Sequence, residues 1–98
     1  MPDSLLTQLQ NATGSPPEHL TSEQQVLWFT KADNWQNAHD IAENLPDPNG
    51  AWLHAHLHRV EGDLWNADYW YQRAQQPSPP KDLSLEDEWL LLAKHFCQ

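Results

Sequence analysis

The dipeptide Gly62-Asp63 constrains this chain more than any other feature. Before it, Leu53, Leu57 and Val60 recur at three-to-four-residue spacing; after it, Ala67, Tyr71 and Ala74 do the same. A glycine tolerates the left-handed backbone that closes a helix, and an aspartate opens the next helix by accepting its free amides. Two helices joined by so short a link must lie against each other. The spacing therefore predicts a helical hairpin, with Ala51–Glu61 as its first arm and Leu64–Gln76 as its second.

The rest of the chain reads as helix in the same way, with no alternating strand pattern. Ser4–Leu9 is a short first helix with Leu5, Leu6 and Leu9 on one side, and Asn11–Leu20, holding Gly14, Pro16 and Pro17, is a loop. Thr21 with Gln24, or Ser22 with Gln25, offers a capping box for a helix carrying Val26, Leu27 and Phe29 to a break at Asp33-Asn34. Trp35, Ala38, Ile41, Ala42 and Leu45 stripe a helix from Trp35 to Asn44, and Pro46 to Gly50 turns the chain. After the stiff Pro77-Ser78-Pro79-Pro80 connector, Ser84 opens a last helix. Glu86, Asp87 and Glu88 fill its first turn, where the helix dipole favours negative charge. Trp89, Leu90, Leu92, Ala93 and Phe96 dock it on the rest. The expectation is an all-α fold of five to six helices in one domain, 1–98. Residues 1–20 hold a short helix and loop, 21–76 two hairpin-like units, and 84–98 a capping helix.

Size and charge narrow the function classes. A chain of 98 residues buries roughly 65% of its unfolded surface, enough for a core rich in its six tryptophans. Five basic against 14 acidic residues give a net charge of −9, which argues against nucleic acid and against anionic membrane surfaces. No apolar run approaches the roughly 20 residues of a membrane span. Met1-Pro2-Asp3-Ser4-Leu5-Leu6 lacks the basic and apolar regions of a secretion leader. The single cysteine, Cys97, has no partner in the chain, so a cytoplasmic, reducing setting is expected.

The polar information concentrates in Trp52–Asp63. His54, His58 and Glu61 fall at i, i+4 and i+7 on one helix face. His56 points the other way with Trp52 and Arg59. The hairpin register turns the His54/His58 face toward the partner helix Leu64–Gln76 and toward the preceding helix, which carries His39-Asp40. Two histidines one turn apart plus a third, or a carboxylate, suit Zn, Ni or Fe(II). The competing reading makes these histidines structural, bonded to Tyr69, Tyr71, Asp63 or Asp68, and a third gives them acid–base work. Neither a paired-cysteine motif nor H-E-x-x-H is present. Arg59, Glu61 and Asp63 read as a clamp around the Gly62 turn, joined by Asn66 or Arg73. In an alternative reading, Arg59 and Arg73 receive an anion or a carboxyl terminus. Trp65, Tyr69, Trp70 and Tyr71 cannot all face inward from one helix, so Trp65 or Tyr69 should be exposed.

An internal echo, Asn34-Trp35-Gln36-Asn37-Ala38 against Asp63-Leu64-Trp65-Asn66-Ala67, resembles successive tetratricopeptide units at less than their usual 34-residue period. Ala67 and Tyr71 match the small and aromatic pair of that repeat, and Pro79 its closing proline; His58 departs from the usual aromatic. The segment Ala38–Ala74 also resembles a family of small bacterial tetratricopeptide-like helical proteins without an assigned activity. His39 and Ile41, His-x-x-x-His-Arg-x-Glu-Gly-Asp at His54–Asp63, and Asn-Ala-x-Tyr-Trp-Tyr at Asn66–Tyr71 carry that resemblance. Where that family continues with Arg, Arg-Ala-Gly, this chain has Gln72, Arg73, Ala74 and Gln75, against a basic pocket there. The expected function is protein or peptide binding through a face holding His39, His54, His58, Arg59, Glu61, Trp65, Asn66, Tyr69 and Arg73. Gly62 and Asp63 form the structural turn. The alternative is a metal-binding protein or metal-dependent enzyme with His39, His54, His58 and Glu61 as ligands; no cofactor other than such a divalent metal is expected.

Overall fold

A computed structural model describes residues 4–97; the Met1–Asp3 start read above for a secretion leader, and Gln98, lie outside them. Six helices and no strand occur among the described residues: α1 Leu5–Gln10, α2 Ser22–Lys31, α3 Trp35–Ala42, α4 Asn49–Val60, α5 Leu64–Arg73 and α6 Leu85–Phe96. Among the described residues no helix is long and apolar enough to cross a membrane.

The helix ends follow from local chemistry. Thr21 and Gln24 form the capping box of α2, each side chain bonding the other's backbone amide. Gln25, the rival candidate, instead donates to the Leu20 carbonyl. Ser4, Asn34, Asp63 and Ser84 cap α1, α3, α5 and α6. The turns after α2 and α4 share one construction. Asp33 (φ 63°) and Gly62 (φ 85°) adopt the left-handed conformation. The next amide then reaches back to a carbonyl in the last turn, Asn34 to Phe29 at 2.8 Å and Asp63 to His58 at 2.9 Å. In both turns the residue that closes one helix also caps the next, so the chain reverses within three residues. This geometry underlies the echo between Asn34–Ala38 and Asp63–Ala67, whose alanines are both buried.

Three helix limits differ from expectation by two residues or more, and both ends of α1 and the end of α4 by one. α3 ends at Ala42, two residues short of Asn44, and α5 ends at Arg73, where Gln75 adopts φ 59° before the proline connector. α4 begins at Asn49 rather than Ala51, because Gly50 lets its backbone pass against Leu45. A Cβ at Gly50 would lie 2.3 Å from the Leu45 carbonyl oxygen, and that backbone has little freedom to withdraw. Gly50→Ala is expected to lower stability by about 1–3 kcal/mol, the usual cost of overpacking, despite alanine's better helix propensity. Thermal unfolding of the variant checks this.

Hairpin α2–α3 packs on hairpin α4–α5 through α3 and α4, while α6 crosses α2 and α4. Leu9, Leu27, Ala38, Leu53, Leu57 and Leu92 form the centre of the main core. A smaller cluster of Ala55, Ala67 and Tyr71 seals α4 to α5. Indoles in or against the core find acceptors: buried Trp28 donates to the Gly14 carbonyl, half-buried Trp35 to Leu57 and buried Trp89 to Leu27. α4, gripped on several sides, therefore presents two opposed polar faces at fixed positions.

Candidate metal centre

The first face meets α3. His54 Nε2 lies 2.8 Å from His39 Nε2, one ring donating its N–H to the other's lone pair. The His54 and His58 rings stack with centroids 5.1 Å apart. His39 stands nearly perpendicular to both, at 4.5 Å and 5.7 Å. One nitrogen from each of the three rings lies within 4.8 Å of the other two. A tetrahedral Zn²⁺ with bonds of about 2.0–2.1 Å holds its nitrogens roughly 3.3 Å apart. That value falls between the closest contact here and the outer limit, so rotations of the imidazoles would close the site.

Aromatic walls hold the rings. Trp35 stacks on His39 at 4.7 Å, and Trp70 stacks on His54 at 3.9 Å. Arg73 lies over the outer face of Trp70 and pairs with Asp47 at 2.7 Å, fastening α5 to the α3–α4 connection. Behind His58, Nδ1 faces Glu61 Oε1 at 2.6 Å. A carboxylate accepts only, so Nδ1 carries the hydrogen in this bond. Such a carboxylate–imidazole pair typically orients a metal-ligating histidine. Glu61 thus supports His58 instead of completing the three-imidazole set.

Burial, with help from His39, His58 and Arg73, lowers the His54 pKa to about 4, so at neutral pH this ring offers a lone pair. The unfolded chain protonates the same ring near 6.5. A proton taken up only by the unfolded state costs stability as pH falls from about 6.5 toward about 4. The loss is expected to reach about 3 kcal/mol. His54→Gln should flatten that stretch of the curve, as read by urea unfolding of metal-free protein across the pH range.

The second face of α4 meets α6. Glu88, 4% exposed, accepts from His56 Nδ1 at 2.6 Å, from Arg59 at 3.1 Å, and from the Tyr71 hydroxyl. Arg59 also donates to the Leu83 carbonyl. Burial alone would raise the Glu88 carboxyl; the bonds from His56, Tyr71 and Arg59 outweigh it and hold the group below the usual carboxylate range. Burial and Glu88 push the Tyr71 phenol upward. Among the described residues no buried side-chain polar atom lacks a partner.

Of the sequence-predicted residues, His39, His54 and His58 converge, with Glu61 one bond behind. Arg59 does not join them, and the expected clamp of Arg59, Glu61 and Asp63 does not form. Arg59 leaves the opposite side of α4 for Glu88, Glu61 takes His58, and Asp63 caps α5 with Asn66. Arg73 pairs with Asp47, outside that clamp. The histidine partners are His39 for His54, Glu61 for His58 and Glu88 for His56, in place of Tyr69, Tyr71, Asp63 and Asp68. Trp65, 83% exposed, and Tyr69 face solvent, as the crowding of aromatics on α5 requires. Glu88 is the residue that sequence reasoning missed. Its spacing from Leu92 places it at the edge of the α6 apolar stripe, and that was the available signal. No family model, curated protein or solved structure matches the chain.

Proposed function

We propose that this chain is a small metal-binding protein that holds a divalent transition ion, Zn²⁺ by its donor chemistry, on His39, His54 and His58. The observation that carries the reading is the convergence of three imidazoles from two helices, with nitrogens within 4.8 Å and one ring kept neutral by burial. A lone N–H···N bond between His39 and His54 would need neither the third ring nor the Glu61 brace behind it. Three protein ligands leave a fourth position free, the arrangement of sites that polarise a substrate or activate water. An enzymatic role at that position belongs to this reading. The chain's own part is to fix the rings with Trp35, Trp70 and Glu61. Elemental analysis of untagged protein tests it. Near-stoichiometric metal in the wild type that vanishes in a folded His54→Ala/His58→Ala variant is expected; metal-free wild type that ignores added Zn²⁺ overturns the assignment.

A second reading, a tetratricopeptide-like cytoplasmic module that binds a peptide, is favoured by one observation: Trp65 and Leu64 stand exposed at the start of α5. Exposed tryptophans often anchor interfaces. Trp65→Ala should leave stability unchanged within about 0.5 kcal/mol and abolish capture of any partner the wild type retains. Capture that survives the substitution would discard this surface.

A further inference from the structure

α5 and α6 both pack on α4 but not on each other. The wedge between them is crossed by the connector of residues 74–84, whose Pro77, Pro79 and Pro80 bring no backbone N–H into it. Two cavities result, and Tyr71, Pro79 and Pro80 line both. The first, about 220 Å³, lies among Trp52, Leu83, Leu91 and Leu92, with Glu88 in its wall. The second, about 480 Å³, adds Leu64 and Ala67 to the shared apolar wall, and its polar groups are Arg59, Asp68, Ser78 and Lys81. An apolar pocket of a few hundred cubic ångströms with a few convergent polar groups is the usual form of a small-molecule site.

The charges around the larger cavity divide into two pairs. Arg59 and Glu88 neutralise each other at 3.1 Å. The guanidinium keeps further N–H groups beyond those given to Glu88 and the Leu83 carbonyl. Lys81 and Asp68 are exposed and, among the described residues, form no ion pair with each other or with any other group. They share one rim. Asp68 Oδ1 accepts from the Ser78 hydroxyl at 2.9 Å, which leaves Oδ2 to accept from elsewhere. Lys81 follows Ser78 by three residues, a backbone span of at most roughly 11 Å. Two cations thus face two carboxylates, a balance that favours neither an anion nor a cation but a molecule carrying both charges.

We propose that the larger cavity binds a free α-amino acid with an apolar side chain. Its carboxylate accepts from Lys81 and from a spare N–H of Arg59, and its ammonium donates to Asp68. Its side chain takes the place of water against Leu64, Ala67, Pro79 and Pro80. A polyanion would meet Asp68 at the rim, and an organic cation would meet Lys81. No histidine lines the cavity, so this site stands or falls independently of the metal centre.

Amide NMR of the full chain titrated with L-leucine and L-phenylalanine tests the site. The comparison ligands are 4-methylpentanoate, which lacks the ammonium, leucinamide, which lacks the carboxylate, and glycine, which lacks the side chain. Expected are saturable shifts at the Leu64, Asp68, Ser78 and Lys81 amides with leucine or phenylalanine. Each comparison ligand should bind roughly tenfold weaker, the loss of one charge-assisted bond or of the apolar contact. Asp68→Asn/Lys81→Gln should weaken leucine by a similar factor. Both positions are exposed and asparagine still accepts from Ser78, so this variant keeps its fold. If 4-methylpentanoate binds as tightly as leucine, the ammonium has no partner and the assignment is overturned. Shifts confined to residues around His39 and His54, or no saturable shift with either amino acid, overturn it as well.

Discussion

Replacing Glu88 with alanine is expected to destabilise the protein by about 3–5 kcal/mol, a large share of the roughly 5–15 kcal/mol typical of a domain. The carboxylate accepts from three donors on two other helices: His56 and Arg59 of α4 and Tyr71 of α5. Its removal strands a buried imidazole and phenol, and it leaves the Arg59 guanidinium, only 12% exposed, with the Leu83 carbonyl but no carboxylate. At about 4–8 °C per kcal/mol for a domain of this size, the melting temperature should fall by roughly 12 °C or more. Glu88→Gln should cost less. Its amide oxygen can still accept from His56 and Arg59 and its NH₂ can donate to the Tyr71 oxygen, so the charge and the acceptor for the Tyr71 hydroxyl are lost while the other bonds remain. The same carboxyl predicts the acid limb of stability. Because its folded pKa lies below the unfolded value of about 4.3, its stabilisation is present above that value. It disappears as pH falls through the folded pKa. Chemical denaturation of the wild type and both variants between pH 7 and pH 3 checks the order. A Glu88→Ala protein as stable as wild type would mean the network contributes nothing net.

Why Glu88 escaped sequence reasoning, when much else did not, is a matter of locality. Gly62-Asp63 announces its turn because both residues act on backbone groups within five positions, and Thr21–Gln24 announces its helix in the same way. The meeting of His39 with His54 and His58 was legible too. Spacing of i, i+4 puts the α4 pair on one face, and hairpin order puts α3 beside it. Glu88 had a sufficient local explanation in the dipole of α6, and nothing local distinguishes an acid that caps a helix from one that pairs across three helices. Arg59 was assigned to the Gly62 turn for a related reason. Its carboxylate neighbours in sequence were visible, while its partner stands 29 positions away. The early start of α4 depended on the close approach of Gly50 to Leu45, a packing fact without a sequence signature.

Added zinc is expected to raise the melting temperature by roughly 10–30 °C, provided free zinc reaches 100 to 1,000 times its dissociation constant. A ligand bound only by the native state then contributes about 2.7–4.1 kcal/mol, and the same conversion to temperature applies. The shift should reverse with a chelator and be absent from His54→Ala/His58→Ala. Removing these rings also breaks the His39–His54 bond and the stack on Trp70, so the apo variant will itself melt lower. The zinc-induced difference, not the absolute melting temperature, is therefore the quantity to compare. Glu88→Ala supplies the decisive control. The Glu88 network and the three-histidine set occupy opposed faces of α4 and share no side-chain partner, and effects without shared partners add. Glu88→Ala should thus lower the starting temperature yet keep the zinc-induced stabilisation free energy within about 0.5 kcal/mol. If instead the zinc response collapses with Glu88, the histidines are held by the integrity of the whole bundle rather than by Trp35, Trp70 and Glu61. If zinc moves neither protein, the three rings serve α3–α4 packing alone.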